Sequence, residues 1–141
     1  MDSFAAYRRR TAGRDHHGFV ATARDDGRLV GVVNINNVVL RSFRSGYMGY
    51  YAFTGAEGRG LMAEAVGLVA THAFDELGLH RLEANIQPGN VASSALVRRL
   101  GFRLEGFSPD YLFIDGAWRD HERWALLADE FVGRRSADAG G

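Results

Sequence analysis

Glu57-Gly58-Arg59-Gly60-Leu61-Met62-Ala63-Glu64-Ala65 leads from a β-rich run directly into the clearest helical repeat of the chain. Met62, Ala65, Val66, Val69, Ala70, Ala73, Phe74 and Leu77 recur at the spacing of one helix face, which predicts a helix over Leu61–Leu77 stopped by Gly78. Glycine permits backbone conformations closed to other residues and lets a ligand approach the main chain. A helix N-terminus behind such a loop presents unpaired N–H groups and the positive end of the dipole, which suits a pyrophosphate. The same Gly-x-Gly signal also fits a plain strand-to-helix loop. It is not a P-loop, since no Gly-Lys-Ser/Thr follows, and it lacks the third glycine of a dinucleotide fingerprint.

Downstream, His80–Gln87 reads as a strand ended by Pro88-Gly89, and Val91–Leu100 as a second helix capped by Asn90 and closed by Gly101. Strand, helix, strand, helix, strand in succession implies a right-handed crossover between parallel strands. Phe102–Phe107, Tyr111–Ile114 and Trp118–Leu127 complete the chain as strands, the last two joined at Asp115-Gly116-Ala117.

Upstream, Tyr47–Phe53 is the strand that feeds the glycine loop, and Val38–Phe43 is a further run before it. Phe19–Arg24 and Leu29–Asn36 form a hairpin across Asp25-Asp26-Gly27. Residues 2–12, behind Asp2 and Ser3 as N-caps, read as a short helix ending near Gly13. The expectation is an α/β chain (α+β with a mixed sheet), a single domain over residues 1–131 and a flexible tail over 132–141.

Composition narrows the function classes. The 141 residues, 46% apolar, suffice for one core. Seventeen basic and seventeen acidic residues balance, so neither nucleic acid nor an anionic membrane is an expected partner. The absence of cysteine excludes disulfides, thiolate nucleophiles and Cys-ligated metal sites, and no metal is called for. All seventeen basic residues are arginine, which excludes a catalytic lysine. Without a signal-like N-terminus or a run approaching ~18 apolar residues, a soluble cytoplasmic protein is expected.

Two ordered stretches carry a resemblance. In GNAT-fold N-acetyltransferases a pyrophosphate loop of the form Gln/Arg-x-x-Gly-x-Gly/Ala lies between a strand and a helix, and Glu57-Gly58-Arg59-Gly60-Leu61-Met62 is similar in placement. Glu57 replaces the Gln or Arg, and Met62 the small residue. His80–Asn90, Ser93–Phe102, Glu105-Gly106, Asp110-Tyr111, Ile114-Asp115-Gly116 and Trp118–His121 resemble the signature of the RimJ/RimL-type ribosomal-protein N-terminal acetyltransferases. Together these features cover residues 47–127.

The resemblance implies acetyl-CoA held in a V-shaped opening between Tyr50–Phe53 and His80–Gln87. Its pantetheine arm would pair with main chain at Ala52 and Phe53. Glu57, Gly58, Arg59, Gly60, Leu61 and Met62 would cradle the pyrophosphate, with Asn85, Asn90 and Ser93 completing the cofactor site. It also implies a domain lacking the first strand and first helix usual for the fold, so that an open sheet edge favours pairing into a homodimer.

Acetyl transfer to an amine needs a neutral nucleophile, stabilisation of developing negative charge and a donor for the departing thiolate. Where many relatives place a tyrosine acid, this chain has Val97. The resemblance moves the donor to Ser93, which as an early helix residue could equally satisfy free N–H groups. Where related enzymes carry a carboxylate before the loop, this chain has Phe53, Thr54, Gly55 and Ala56. Glu83 is the nearest replacement as base, with Tyr111 and His121 from the late hairpin behind it. Each also reads as an ordinary strand residue.

Three functions remain open: an acetyl-CoA-dependent N-acetyltransferase acting on a protein or peptide N-terminal amine, an acetyltransferase of small amines, and an acyl-CoA-binding module without turnover. The last is motivated by Val97, the missing early carboxylate and the short N-terminal part.

Overall fold

The computed structural model describes residues 4–8 (backbone only), 16–23, 27–40, 42–53 and 60–131. Seven strands form one mixed sheet in the order β1-β2-β3-β4-β5-β7-β6. They are β1 Phe4–Arg8, β2 His17–Ala23, β3 Leu29–Val39, β4 Ser45–Ala52, β5 Arg81–Ile86, β6 Arg103–Ile114 and β7 Ala117–Leu127. Helix α1, Leu61–Asp75, joins β4 to the parallel strand β5, and α2, Val91–Leu100, joins β5 to β6. All other strand pairs are antiparallel. This is the mixed α/β architecture that the sequence implied.

Both helices bury their apolar stripe on one face of the sheet. Ala65, Val66, Val69, Ala70, Ala73 and Phe74 of α1 and Val97 of α2 share a core with Phe19, Ile35, Met48, Leu82, Ala84, Ile86, Trp124 and Leu126. The other face carries Asn34, Tyr47, Glu83, Asn85, His121 and Arg123, whose strand positions alternate with the core residues. No described helix covers that face. Among the described residues, no helix is long and apolar enough to cross a membrane.

The helix ends follow local chemistry. Asn90 Oδ1 accepts the Ser93 N–H at 3.2 Å, and Gly101, at φ 105°, returns its N–H to the carbonyls of Arg98 and Val97. α1 stops at Asp75 rather than Leu77, because the N–H groups of Glu76 and Leu77 both turn back onto the His72 carbonyl. Asp115 (φ 51°) and Gly116 (φ 81°) make the two-residue β6–β7 turn, whose left-handed pair matches the twist of the strands.

Four expectations are corrected. The segment read as a short helix over residues 2–12 contains β1, paired antiparallel with β2 from Phe4↔Ala23 to Arg8↔Phe19. A helix that short is marginal alone, whereas the strand satisfies the edge of β2. The place beside β2 that was expected to be empty for want of a first strand is therefore occupied by β1, which itself stands at the edge of the sheet. No helix precedes β2 among the described residues.

Val38–Phe43 is not a strand of its own. Val38 and Val39 end β3 behind a bulge at Asn37 (φ 52°), and Arg44 (φ 46°) completes the reversal into β4. Conversely, Phe102–Phe107 and Tyr111–Ile114 belong to one strand, β6, interrupted by a bulge between Ser108 and Leu112 with Asp110 at φ 47°. The turn residues Asp25-Asp26 and the tail 132–141 lie outside the described residues.

Candidate acyl-donor site

The sheet opens at its centre. β4 and β5 are paired only from Ser45↔Arg81 to Tyr47↔Glu83, although β4 continues to Ala52 and β5 to Ile86. β7 stays paired with β5 along its whole length, so the divergence is confined to the β4 side. The Phe53 N–H donates to the Val30 carbonyl at 2.8 Å. Alternation along an antiparallel pair then turns the main-chain groups of Ala52 and Tyr50 the other way, into the gap. Main-chain groups of Ala52 thus face the gap, whereas the Phe53 N–H is committed to β3.

A cavity of about 460 Å³ lies on the helix side against the diverging end of β4, between that strand, the start of α1 and α2, a volume typical of small-molecule sites. Ala52, Gly60 and Met62 line it from β4 and α1, and Asn90, Ser93 and Arg99 from α2. Gly60 stands at φ 73° as the residue before α1 and has no side chain to cap the helix, so the first turn of α1, whose Met62 and Ala63 line the cavity, carries no side-chain cap among the described residues. Arg99 is the one charged residue lining the cavity among the described residues. It lies two turns after Ala92 on the face that also carries Ala95 and Leu96, a helical period legible in the sequence, yet sequence reasoning gave it no role.

Ser93 sits where α2 meets β4. Its N–H is taken by Asn90, and its hydroxyl donates to the Tyr50 phenol at 2.9 Å. The Tyr50 hydroxyl donates in turn to the Ser93 carbonyl at 3.2 Å. Ser93 is therefore not a helix cap; Asn90 is, and it lines the cavity as well. Burial pushes the Tyr50 phenol above the ordinary tyrosine range, and the Ser93 hydrogen bond offsets part of the rise. Tyr50 is a second residue to which the sequence reading assigned no role, because its partner lies 43 positions away.

Glu83 and Tyr111 come together elsewhere, at the apex of the opening on the helix-free face. Glu83 lies across from Tyr47 in the last β4–β5 pair and 3.4 Å from Arg81 Nε. The bulge in β6 lays Tyr111 on His121, with ring centroids 5.9 Å apart, and His121 is 3% exposed with Nδ1 against the Arg119 carbonyl. The Glu83 charge, then burial and Tyr111, raise the Tyr47 phenol, while Arg81 and Arg123 pull it down. These groups thus act on one another electrostatically.

The remaining expected residues separate. Gly60 and Met62 line the cavity, whereas Leu61 is buried in the core. Asn85 is on the helix-free face, opposite Arg123, with its Oδ1 enclosed and unpartnered, and does not line the cavity. Glu57, Gly58 and Arg59 lie outside the described residues.

Residues 1–103 match the family model described as an acetyltransferase (GNAT) domain. The [ribosomal protein uS5]-alanine N-acetyltransferase of Escherichia coli is 41% identical over 108 residues, 77% of this chain and 56% of the relative. The probable N-acetyltransferase YjcK of Bacillus subtilis is 37% identical over 113 residues, 80% of this chain and 62% of the relative. Among solved structures, Mycobacterium smegmatis RimJ in complex with CoA-disulfide superposes with a TM-score of 0.80 at 36% identity, covering 89% of this chain and 61% of that one. The chain thus spans about three fifths of the length of these relatives.

Proposed function

The chain belongs to the GNAT acetyltransferase family, and from that premise we propose that it transfers acetyl from acetyl-CoA to an amine, the α-amine of a protein N-terminus. The observation that carries the reading is the cavity against the diverging end of β4. It combines a main-chain edge at Ala52, a helix N-terminus behind Gly60, one cation at Arg99 and a hydroxyl at Ser93. An edge for an amide-bearing arm, a dipole and a cation for phosphates, and a donor at the far end match the chemistry of an acyl-CoA in sequence along one groove.

Acetyl-CoA, when bound, supplies an activated acyl carbon and a thiol leaving group. Ala52 and Tyr50 main chain hold the arm, while the first turn of α1 and Arg99 face the phosphates. The Ser93 hydroxyl donates to the departing sulfur. Glu83, at the apex on the helix-free face, takes the proton that the amine must lose, and Tyr47 and Tyr111 beside it hold the acceptor's polar end. The amine thus enters from the face opposite the helices, so donor and acceptor meet at the end of the Tyr47↔Glu83 pair.

Protein N-termini are preferred to small amines because a relative with 41% identity bears the name of an alanine N-acetyltransferase of a ribosomal protein, and because no described helix covers the sheet face that carries the apex. A cytoplasmic location accords with that acceptor. Calorimetry with acetyl-CoA, followed by thiol release with an alanine-initiated peptide and with spermidine, tests the reading. Binding with release on the peptide supports it. Release on spermidine alone would move the acceptor to small amines, and binding with release on neither would leave an acyl-CoA-binding module.

A further inference from the structure

Where β4 and β5 part, their main chains no longer hold each other, and a side chain ties β4 to helix α2 instead. Tyr50 Oη lies within hydrogen-bond distance of two atoms of one residue, Ser93 Oγ at 2.9 Å and Ser93 O at 3.2 Å. Both residues line the cavity. We propose that Tyr50 is the positioning residue for Ser93, holding its hydroxyl at the cavity wall and supplying a hydrogen bond to Oγ whenever the serine proton is turned toward the CoA sulfur. This rests on the reading of Ser93 as the group that meets the sulfur.

A phenolic oxygen has one proton to give and two lone pairs. In the structure the phenol proton is directed at the Ser93 carbonyl, and a lone pair receives the serine O–H. Once the serine O–H swings to the sulfur, its oxygen is left with free lone pairs facing Tyr50. Rotation of the phenol O–H about its C–O bond moves that proton from the carbonyl to Oγ, and no heavy atom has to shift because both acceptors are already in reach. Hydrogen bonds in a chain polarise one another, so a donor behind Oγ strengthens the bond that Oγ–H makes to a sulfur anion.

No proton leaves Tyr50 in this scheme. Burial favours the neutral phenol, which remains a donor at the pH where a thiol of ordinary pKa ~8.5 ionises. In the transfer itself the amine nitrogen bonds to the acyl carbon and the carbon–sulfur bond breaks with its electron pair on sulfur. The nitrogen's proton leaves through the base to solvent, from which the sulfur regains one. Tyr50 and Ser93 lower the energy of the sulfur anion without being consumed.

The test needs no acceptor. Thiolate absorbance in the ultraviolet follows the titration of CoA bound to the protein. Ser93→Ala should move its midpoint up by about one pH unit, Tyr50→Phe by about half as much, and the double substitution no further than Ser93→Ala alone. Arg99, which lines the cavity, and Glu122, which accepts a hydrogen bond from Ser94 Oγ, are present in every variant and drop out of the comparison. A merely structural Tyr50 would lower melting temperature and CoA affinity while leaving the midpoint in place. Fluorination of the Tyr50 ring, which makes a stronger donor of unchanged shape, should move the midpoint down, and this arm stands even if Tyr50→Phe does not fold. A midpoint that responds to Ser93→Ala but to neither change at Tyr50 would overturn the inference alone. A midpoint indifferent to Ser93→Ala would overturn the assignment of Ser93, and with it the inference. Failure of CoA to bind would overturn the acyl-CoA reading beneath both.

Discussion

Tyr47 and Glu83 form the last matched pair between β4 and β5, and beyond them the two parallel strands separate. That pair marks where the helix side and the helix-free side of the opening part. On one side of it lies the cavity lined by Ser93 and Arg99, and on the other the cluster of Glu83, Tyr111, His121 and Arg123.

Gly31 faces the place where β4 backs the cavity. A Cβ there would fall 2.4 Å from the Tyr51 carbonyl oxygen, 2.6 Å from Met62 Sδ and 3.1 Å from Ala52 Cα. Gly31→Ala therefore has to displace both β4 and Met62. Urea unfolding should show a loss of about 1–3 kcal/mol, accompanied by weaker acetyl-CoA binding in calorimetry. Wild-type stability would mean that β4 can shift freely.

Asn90 serves two ends, and two substitutions separate them. Asn90→Ala removes the acceptor for the Ser93 N–H and should cost about 1 kcal/mol in urea unfolding. Asn90→Asp keeps a cap and adds a charge that the helix dipole favours. Its stability should match wild type, yet an anion at the cavity wall should weaken CoA binding. Equal CoA affinities for Asn90→Asp and wild type would place the phosphates away from this residue.

Arg99→Gln should leave melting temperature unchanged, since the residue is exposed. Affinity for CoA should fall by about 2- to 5-fold, the range of one solvent-screened ionic contact, and the difference should shrink with added salt. Affinity for pantetheine, which lacks the nucleotide end, should be unaffected. A loss equal for CoA and pantetheine would remove the phosphates as the partner of Arg99.

The raised phenols predict an alkaline limit to stability. Tyr50 is raised by burial and Tyr47 first by the charge of Glu83. A phenol that holds its proton more tightly folded than unfolded contributes stability that is intact below the unfolded value near 10 and is lost as pH rises through the higher folded value. Melting temperature should decline above about pH 10, and Tyr50→Phe and Tyr47→Phe should each flatten part of the decline. Parallel alkaline profiles for wild type and both variants would contradict the assignment.

Much of the fold was readable because its signals are local. The second helix, Val91–Leu100, begins and ends where Asn90 and Gly101 place it, since capping involves residues within one turn. The Asp115-Gly116 hairpin follows from turn chemistry in the same way. Errors fell where local preference is weak. A short N-terminal segment became β1 because β2 offered it an edge, and Val38–Phe43 dissolved into a bulge and a turn because apolar composition does not show the left-handed residues at Asn37 and Arg44.

The site divides along the same line. By itself the sequence determined the order of strand, glycine loop, helix, strand and capped helix, because periodicity and capping act over a few residues; that Gly60, Met62, Asn90 and Ser93 share a neighbourhood was implied by the family resemblance. Tertiary structure alone decided that pairing ceases after Tyr47↔Glu83, that Glu83 and Asn85 fall on the helix-free face, and that Tyr50 meets Ser93 across 43 residues. Those outcomes depend on strand register and on how a helix settles against a sheet, and a one-residue slip in strand register would turn the same side chains to the opposite face.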